Sequence, residues 1–197
     1  MRLYSFVRMK NLAVFASGAG TNAEAIIRYF DKHASVSVSL VVTNNPASPV
    51  IAMAHRHRII SAIISNKFLQ DAPRMGALLQ SQSVDFIALA GFLQRIPEWM
   101  VRQYSERMVN IHPALLPRFG GKGMYGIHVH KAVLEAGEKE TGITIHLVNE
   151  QYDEGKIIEQ HKIPIAPDDT PDTLSAKVRE LEHRHYPPAI EALMLRV

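Results

Sequence analysis

The sequence predicts an α/β fold of the Rossmann-like class, a mostly parallel twisted sheet with helices on both faces and antiparallel strands towards the C-terminal part. Short apolar runs alternate with segments of helical spacing through the first half of the chain. A glycine-rich turn follows the first apolar run, as expected where a strand passes into a ligand-binding helix. Two alternating runs come later, joined by a short polar turn, and they indicate an antiparallel pair.

The parallel part is predicted from continuous apolar runs, which are typical of strands buried on both faces. In chain order these strands are residues 11–16, 36–43, 59–64, 86–90 and 108–111. The segments between them have helical spacing, or proline at a first helical position, and predict helices over residues 22–33, 47–57, 75–82 and 97–104. Strand and helix alternating in this way require crossover connections, so the sheet should be mostly parallel.

The C-terminal part is predicted to contain a helix over residues 128–137 and two alternating strands, residues 141–148 and 156–165. A long final helix should cover residues 170–195. We expect it to be interrupted at Pro187 and Pro188, because proline removes a helical hydrogen bond and its ring clashes with the preceding turn.

Composition limits the class of protein. A chain of 197 residues fits one domain, and we expect residues 9–197 to form it and residues 1–8 to be an N-terminal extension. The net charge of +3 is small and dispersed, so it favours small anionic substrates over nucleic acid. No apolar run reaches the ~18–20 residues that span a membrane. The absence of cysteine excludes disulfides and thiolate metal sites, and we expect a cytoplasmic protein.

The turn SGAGTN, residues 17–22, joins the first predicted strand to the first helix. Gly18 and Gly20 would let the backbone approach a ligand closely. The N–H groups at the helix start would then face an anion, where the helix dipole favours negative charge. The turn is neither a Walker loop nor a complete dinucleotide fingerprint. It could equally be a simple turn in which Thr21 or Asn22 caps the helix.

The string NIHPALLP, residues 110–117, lies at the end of the fifth predicted strand. Because side chains at i and i+2 of a strand share a face, Asn110 and His112 can point at one position beyond the sheet. Ligands of open α/β sheets bind at that edge. Asp153, in the turn YDEG, would join them only if this turn folds back over the edge; otherwise it is an ordinary acidic turn.

Ten histidines raise the question of a metal site. His128 and His130 stand two residues apart at a predicted helix start, so their side chains would diverge, and the sequence contains no HExxH pattern. We therefore expect no metal. A lone histidine is more often a hydrogen-bonded structural residue than a ligand.

The strings SGAGTN, AGFL, NIHPALLP and DEG together resemble the glycinamide ribonucleotide formyltransferases of purine synthesis, over nearly the whole chain. The resemblance implies that the amine of 5-phosphoribosylglycinamide attacks the formyl carbon of the co-substrate 10-formyltetrahydrofolate. It implies Asn110, His112 and Asp153 as catalytic residues. Asn110 would donate a hydrogen bond to the formyl oxygen and His112 would move a proton. Asp153 would orient His112 and raise its pKa.

The resemblance also implies substrate-binding residues. For the ribonucleotide these are Gly20, Thr21, Asn22, Ala23, Glu24 and Glu182. For the folate they are Leu93, Gln94, Arg95, Ile96, Asn110, Asn149, Glu150, Gln151, Tyr152 and Asp153. Gln94 stands where many relatives have arginine, and His146 matches a histidine near the folate loop. A cis Leu116–Pro117 bond, a mobile flap at residues 120–126 and a monomer or homodimer are further implications.

Alternative functions remain open at this point. Methionyl-tRNA formyltransferases carry a basic C-terminal barrel and formyltetrahydrofolate deformylases an N-terminal regulatory domain, and we expect this chain to have room for neither. A non-catalytic phosphate- or nucleotide-binding module would explain the SGAGTN turn. It would leave the combination of Asn110, His112 and Asp153 unexplained. An ATP- and formate-dependent version of the reaction would need a further domain.

Overall fold

The computed structural model describes residues 8–196, and within them the chain forms a seven-stranded sheet in the order β3-β2-β1-β4-β5-β6-β7. The strands are β1 (Lys10–Phe15), β2 (Val36–Thr43), β3 (Ile60–Ile63), β4 (Val84–Leu89), β5 (Met108–His112), β6 (Glu140–Leu147) and β7 (Ile157–Pro164). The helices are α1 (Thr21–Tyr29), α2 (Val50–Arg56), α3 (Asn66–Gln70), α4 (Ala72–Ser81), α5 (Glu98–Gln103), α6 (Ile127–Glu135) and α7 (Pro171–Arg196).

The strand pairing confirms the predicted fold class. Strands β1 to β5 pair in parallel, and β6 and β7 are antiparallel to their neighbours. Strands β2 and β3 are added on one side of β1, and the chain then crosses so that β4 pairs with the other side of β1. Such a reversal opens a crevice at the carboxyl ends of β1 and β4, where open α/β sheets bind their ligands.

Helices cover the sheet on both faces because the central strands alternate two sets of apolar side chains. Leu12 and Val14 of β1 pack into a core formed with α1, α2 and α7. Ala13 and Phe15 pack on the other face, against α3, α4 and α5. Burial on both faces explains why this strand is a continuous apolar run.

Helix α7 runs unbroken through Pro187 and Pro188, so the predicted interruption there is wrong. Tyr186 is fully buried, and its hydroxyl lies 2.9 Å from the carbonyl oxygen of Leu89 and 3.0 Å from that of Val109. This anchoring, with the burial of neighbouring apolar residues, outweighs the helical hydrogen bonds that the prolines cannot make.

One further difference concerns a short element, and the expected N-terminal extension stays a prediction. Helix α3 was not predicted; it is one short turn capped by the Ser65 hydroxyl, which accepts the Phe68 N–H. Of the expected extension, residues 1–7 lie outside the described residues, and Arg8 forms an exposed ion pair of 3.0 Å with Asp85. None of the described helices has the length and apolar character needed to cross a membrane.

Candidate active site

A cavity of about 500 Å³ opens at the carboxyl ends of β4 and β5. Its walls come from the start of α1, the loop after β4, the end of β5, the loop between β6 and β7, and one face of α7. Predicted site residues from all of these elements meet there. They are Asn22, Leu93, Gln94, Arg95, Ile96, Asn110, His112, Asn149, Glu150, Gln151, Tyr152, Asp153 and Glu182.

Asn110, His112 and Asp153 form the centre of the cavity. The β5 strand directs Asn110 and His112 to the same side, as their spacing predicts. The turn between β6 and β7 folds back over this edge, with Asp153 in a left-handed conformation (φ 57°). Its Oδ2 lies 3.5 Å from His112 Nδ1, and its Oδ1 lies 3.4 Å from Asn110 Nδ2.

Both ring nitrogens of His112 face oxygen atoms. Nδ1 faces the Asp153 carboxylate, and Nε2 lies 2.7 Å from the carbonyl oxygen of Phe119. Burial lowers the pKa of His112 below its ordinary value, although the Asp153 charge and the Phe119 carbonyl oppose this. Asp153 does raise this pKa, as expected. The His112 side chain is almost fully buried, however, and the effect of desolvation is larger, so the pKa falls overall.

Asp153 stays ionised in spite of its partial burial. Burial alone would raise the pKa of its carboxyl. The nearby His146 ring, the charge of His112 and the N–H of Gly121, 2.9 Å away, together hold that pKa below its ordinary value. The centre of the cavity therefore keeps a fixed negative charge beside an imidazole.

His146, which the resemblance puts near the folate loop without giving it a role, belongs to this centre. It lies opposite Asn110 across the β5–β6 pair, and its Nε2 is 3.1 Å from Asn110 Nδ2. Its Nδ1 is 2.9 Å from the Leu147 carbonyl, so Nδ1 carries the proton and Nε2 accepts from the amide. His146 thereby fixes which way the Asn110 amide points.

The end of the cavity beside α7 contains a buried carboxyl group. Asn22 Nδ2 donates to Glu182 Oε2 at 2.9 Å. Burial raises the pKa of Glu182 to about 7, against the effects of Asn22 and Arg179, which lower it. Asn22 Oδ1 is also buried and has no hydrogen-bond partner among residues 8–196. This end therefore presents an acid that titrates near neutral pH and a free acceptor.

The other predicted ribonucleotide residues lie near this end without lining the cavity. Gly20 precedes α1 with φ 76°, and a Cβ atom there would meet Val50 Cγ2 at 3.0 Å. Thr21 starts the helix, Ala23 is fully buried, and Glu24 forms an ion pair of 2.7 Å with Arg28. Their predicted roles in substrate binding stay predictions.

The opposite wall carries the predicted folate residues. Leu93, Gln94, Arg95 and Ile96 line the cavity, as do residues 149–153. Arg95 Nη2 donates to the Glu150 carbonyl at 3.3 Å, so the loop after β4 touches the loop between β6 and β7 at the cavity mouth. Leu93 is 53% exposed and leaves an apolar surface open to a ligand.

Residues 120–126 form the remaining wall. The Gly121 N–H donates to Asp153, and Met124 packs on a small core that includes Ala114 and Val129. This segment is thus tied to Asp153 more closely than its glycines suggest, and its mobility stays a prediction. The Leu116–Pro117 bond before it is cis, which confirms that expectation. Nowhere in residues 8–196 do His, Asp or Glu side chains form a metal-binding group.

Two further groups line the cavity that the sequence did not single out as site residues. His130 of α6 is buried, and burial together with the charges of His112 and Arg179 lowers its pKa to about 4. Arg179 of α7 lines the same end as Glu182. No sequence pattern marks either residue, because each is brought to the cavity only by the packing of its helix.

The family model described as formyl transferase matches residues 10–190. This chain belongs to the formyl transferase family. The match covers the β1–α1 turn, the β5 end and most of α7, and so includes every element that lines the cavity. The predicted family is therefore confirmed.

Individual relatives within the family agree. The chain is 41% identical to a chloroplastic phosphoribosylglycinamide formyltransferase of Arabidopsis thaliana, over 94% of this chain and 66% of the relative. It thus spans just under two thirds of the plant protein's length. It is 36% identical to phosphoribosylglycinamide formyltransferase of Bacillus subtilis, over 94% of this chain and 95% of the relative.

Solved structures in the family share the fold. Glycinamide ribonucleotide transformylase 1 from Geobacillus kaustophilus superposes with a TM-score of 0.85 at 35% identity, covering 94% of this chain and 99% of that one. The mixed sheet of this family, parallel with an antiparallel C-terminal pair, is the sheet described above.

Proposed function

We propose that this chain transfers the formyl group of 10-formyltetrahydrofolate to the amine of 5-phosphoribosylglycinamide, in de novo purine biosynthesis. One observation carries the proposal: a single cavity places Asn110, His112 and Asp153 between a carboxyl–amide end and an apolar wall. The reaction needs two substrates to meet, and this cavity has two chemically different ends with ionisable groups between them. The family names of relatives such as the Bacillus subtilis protein support it.

The ribonucleotide would bind at the end formed by Asn22 and Glu182. The ionised Glu182 carboxylate would hold the glycinamide amine, and the free Asn22 Oδ1 would accept from a substrate N–H or hydroxyl group. The phosphate would lie at the start of α1, beside the N–H groups that follow Gly20, where the helix dipole favours an anion. The folate would lie along residues 93–96 and 149–152.

Asn110 would stabilise the charge that develops on the formyl oxygen. Its Nδ2 carries two hydrogens. One donates to His146 Nε2, with 3.1 Å between the nitrogens, and the other points to Asp153 Oδ1, which is 3.4 Å from Nδ2. A contact that long is weak, so this hydrogen is the one that the formyl oxygen would accept. Preorganised donors of this kind typically supply ~2.7–4 kcal/mol of transition-state stabilisation.

His112 would move the protons. The attacking amine loses a proton and the departing folate nitrogen gains one, so one imidazole near both can serve each step. When His112 takes up the proton, Asp153 and the Phe119 carbonyl stabilise the imidazolium from either side. Because Nε2 faces Phe119 here, residues 119–126 would have to shift before Nε2 reaches the substrates.

The remaining parts of the proposal follow from the same chemistry. The co-substrate would be 10-formyltetrahydrofolate. No step of the transfer requires a metal, so no metal cofactor would be needed. Partners would be small molecules, with the chain a monomer or homodimer in the cytoplasm. Neither nucleic acid nor a membrane would take part.

The test is incubation of the purified chain with both substrates while the folate absorbance is followed. We expect tetrahydrofolate to form only when 5-phosphoribosylglycinamide is present. Formation of tetrahydrofolate with water alone would instead indicate a deformylase, and formation with charged initiator methionyl-tRNA would indicate the tRNA enzyme. No turnover with any acceptor would support the non-catalytic phosphate-binding alternative.

A further inference from the structure

Ser17 stands outside every predicted substrate-binding set, yet it is hydrogen-bonded to Gly91 and Leu93, which line the cavity. It lies two residues after the end of β1 and is 6% exposed. Its N–H donates to the Gly91 carbonyl at 3.1 Å, and its hydroxyl oxygen accepts the Leu93 N–H at 2.9 Å. Its hydroxyl proton goes to Asn44 Oδ1. One side chain thus ties together the turns that follow β1, β2 and β4.

The Ser17 hydroxyl extends the hydrogen bonding between the ends of β1 and β4 beyond the last backbone–backbone hydrogen bond. The Ala90 N–H donates to the Phe15 carbonyl at 2.8 Å, and Ser17 N–H then donates to Gly91. Gly91 has φ 75°, which turns the chain out of the extended conformation and ends the regular pairing. At Leu93 the Ser17 hydroxyl oxygen accepts the N–H, whereas in a regular strand pair a backbone carbonyl would accept it.

The direction of these hydrogen bonds is fixed. A hydroxyl group has one proton, and here it goes to Asn44, so only a lone pair is left for Leu93. Removing the hydroxyl would leave the Leu93 N–H and Asn44 Oδ1 without this partner. The position of Leu93 at the folate wall therefore depends on a residue three positions before Gly20, in the turn that precedes α1.

We propose that Ser17 is a positioning residue that couples the two substrate subsites, so that ribonucleotide bound at the β1–α1 turn raises the affinity for folate at the loop after β4. A ligand that orders the exposed residues Gly18 and Ala19 would also hold Ser17, and through it the backbone of Leu93. The second ligand then has less of the site to order, so its binding costs less conformational entropy. This saving is a coupling free energy between the two subsites. This inference rests on the proposed function.

Ser48 provides a matched control. Its hydroxyl donates to the Gly18 carbonyl at 2.6 Å, so it anchors the same turn from the side of α2. It is as buried as Ser17, at 4% exposure, but its hydrogen bonds do not involve the loop after β4. Ser48→Ala should therefore weaken ribonucleotide binding and leave the coupling intact.

The experiment measures the binding of tetrahydrofolate, which cannot transfer a formyl group, by calorimetry with and without saturating 5-phosphoribosylglycinamide. We expect the ribonucleotide to raise tetrahydrofolate affinity about fivefold or more in the wild-type chain. In Ser17→Ala this factor should fall to about one, and tetrahydrofolate alone should bind about fivefold more weakly. Ser48→Ala should keep the wild-type factor.

The outcomes separate the inference from the function on which it rests. A factor in Ser17→Ala equal to that of the wild type, or a wild-type factor of one, would overturn the coupling while both ligands still bind. A wild-type chain that binds neither ligand would overturn the proposed function and the coupling with it. If Ser17→Ala does not fold, Ser17→Cys serves instead: a thiol keeps the shape of the side chain but accepts hydrogen bonds only weakly, and an unchanged factor there would overturn the coupling.

Discussion

At the scale of single residues, the pKa of His112 is set by two opposing effects, that of burial and that of its two oxygen neighbours. Burial favours the neutral ring and lowers its pKa, whereas Asp153 and the Phe119 carbonyl favour the imidazolium. A neutral imidazole has one N–H and can satisfy only one of these oxygens. The ring therefore gains a partner whenever it takes up a proton, which is what a proton-transfer group requires.

We predict that Asp153→Asn lowers kcat by at least ~10²-fold with little effect on either KM, because the carboxylate acts mainly when His112 is charged. His112→Ala should lose at least as much, since it removes the proton carrier itself. The double variant should be little worse than His112→Ala, because Asp153 then has no imidazolium to stabilise. Steady-state kinetics of the three variants with both substrates would measure this.

The pH profile is the independent check on this pair. Removing the Asp153 charge should lower the pKa attributed to His112, because the carboxylate opposes the effect of burial. Additive losses in kcat together with an unmoved pH profile would show that the two residues act independently.

We predict that Glu182 makes the chain less stable as pH rises from about 4.5 to about 7. The carboxyl holds its proton to about pH 7 when folded, whereas an unfolded glutamate releases it near 4.5. The unfolded chain then binds fewer protons in this window, so the free energy of unfolding falls with pH, by roughly 3 kcal/mol at most. Denaturant unfolding across this range should show the fall.

The control is Glu182→Gln, which keeps the size of the side chain and cannot ionise. Its free energy of unfolding should lack this contribution, so the two curves should diverge as pH rises, with the variant the more stable above pH 7. Curves that stay parallel from pH 4.5 to 7 would show that Glu182 ionises normally. The variant should also bind the ribonucleotide less well, because an amide cannot neutralise a substrate ammonium.

At the scale of elements, the β1–α1 turn depends on the left-handed conformation of Gly20. We predict that Gly20→Val raises the KM for the ribonucleotide strongly, because a side chain there is strained at φ 76° and meets Val50. The KM for folate should barely change, since the hydrogen bond from Ser17 to Gly91 and the one from Leu93 to Ser17 are left in place. Steady-state kinetics with each substrate varied would test this.

Gly18→Ala is a suitable control for this turn, because no atom lies within 4 Å of the Cβ it would add and its φ is not positive. It should change the ribonucleotide KM much less. Equal losses of affinity for both substrates in Gly20→Val would indicate general misfolding instead of a local effect on the phosphate subsite.

Elements were predictable from the sequence where local pattern and tertiary packing agree. The continuous apolar strands and the pair Asn110 and His112 follow from strand periodicity alone. The unbroken α7 did not, because the local cost of Pro187 and Pro188 is offset by contacts of Tyr186 with strands far away in the sequence. Local rules contain no information about such contacts.

At the scale of the whole molecule, the site is assembled from contacts that no local pattern encodes. Asn22 and Glu182 are 160 positions apart and meet only because α1 and α7 pack on the same face of the sheet. His146 faces Asn110 only through the register of β5 against β6. The family resemblance supplied Asn22 and Glu182 as residues, but their mutual hydrogen bond required the structure.

The position of Asp153 in the proposed catalytic centre depends on how β6 and β7 are joined. A Cβ atom at Gly155 would lie 1.6 Å from the Leu147 carbonyl oxygen, so Gly155→Ala must displace the connection that carries Asp153. We expect it to lose ~1–3 kcal/mol of stability, as overpacking usually does, and most of kcat. A substitution at Gly76, within α4, should have the opposite effect on stability, because no atom lies near the Cβ it would add.

Gly76→Ala should stabilise the chain by ~0.5–1 kcal/mol, because glycine inside a helix is unfavourable, and it should leave kcat unchanged. In the double variant Gly76→Ala should restore part of the stability lost at Gly155 and none of the activity, because stability at α4 cannot return Asp153 to His112. Chemical unfolding and kcat, measured on all four proteins, give the two readouts. Recovery of kcat in step with stability would show that Gly155→Ala acts through global unfolding, and that the position of Asp153 tolerates the displaced connection.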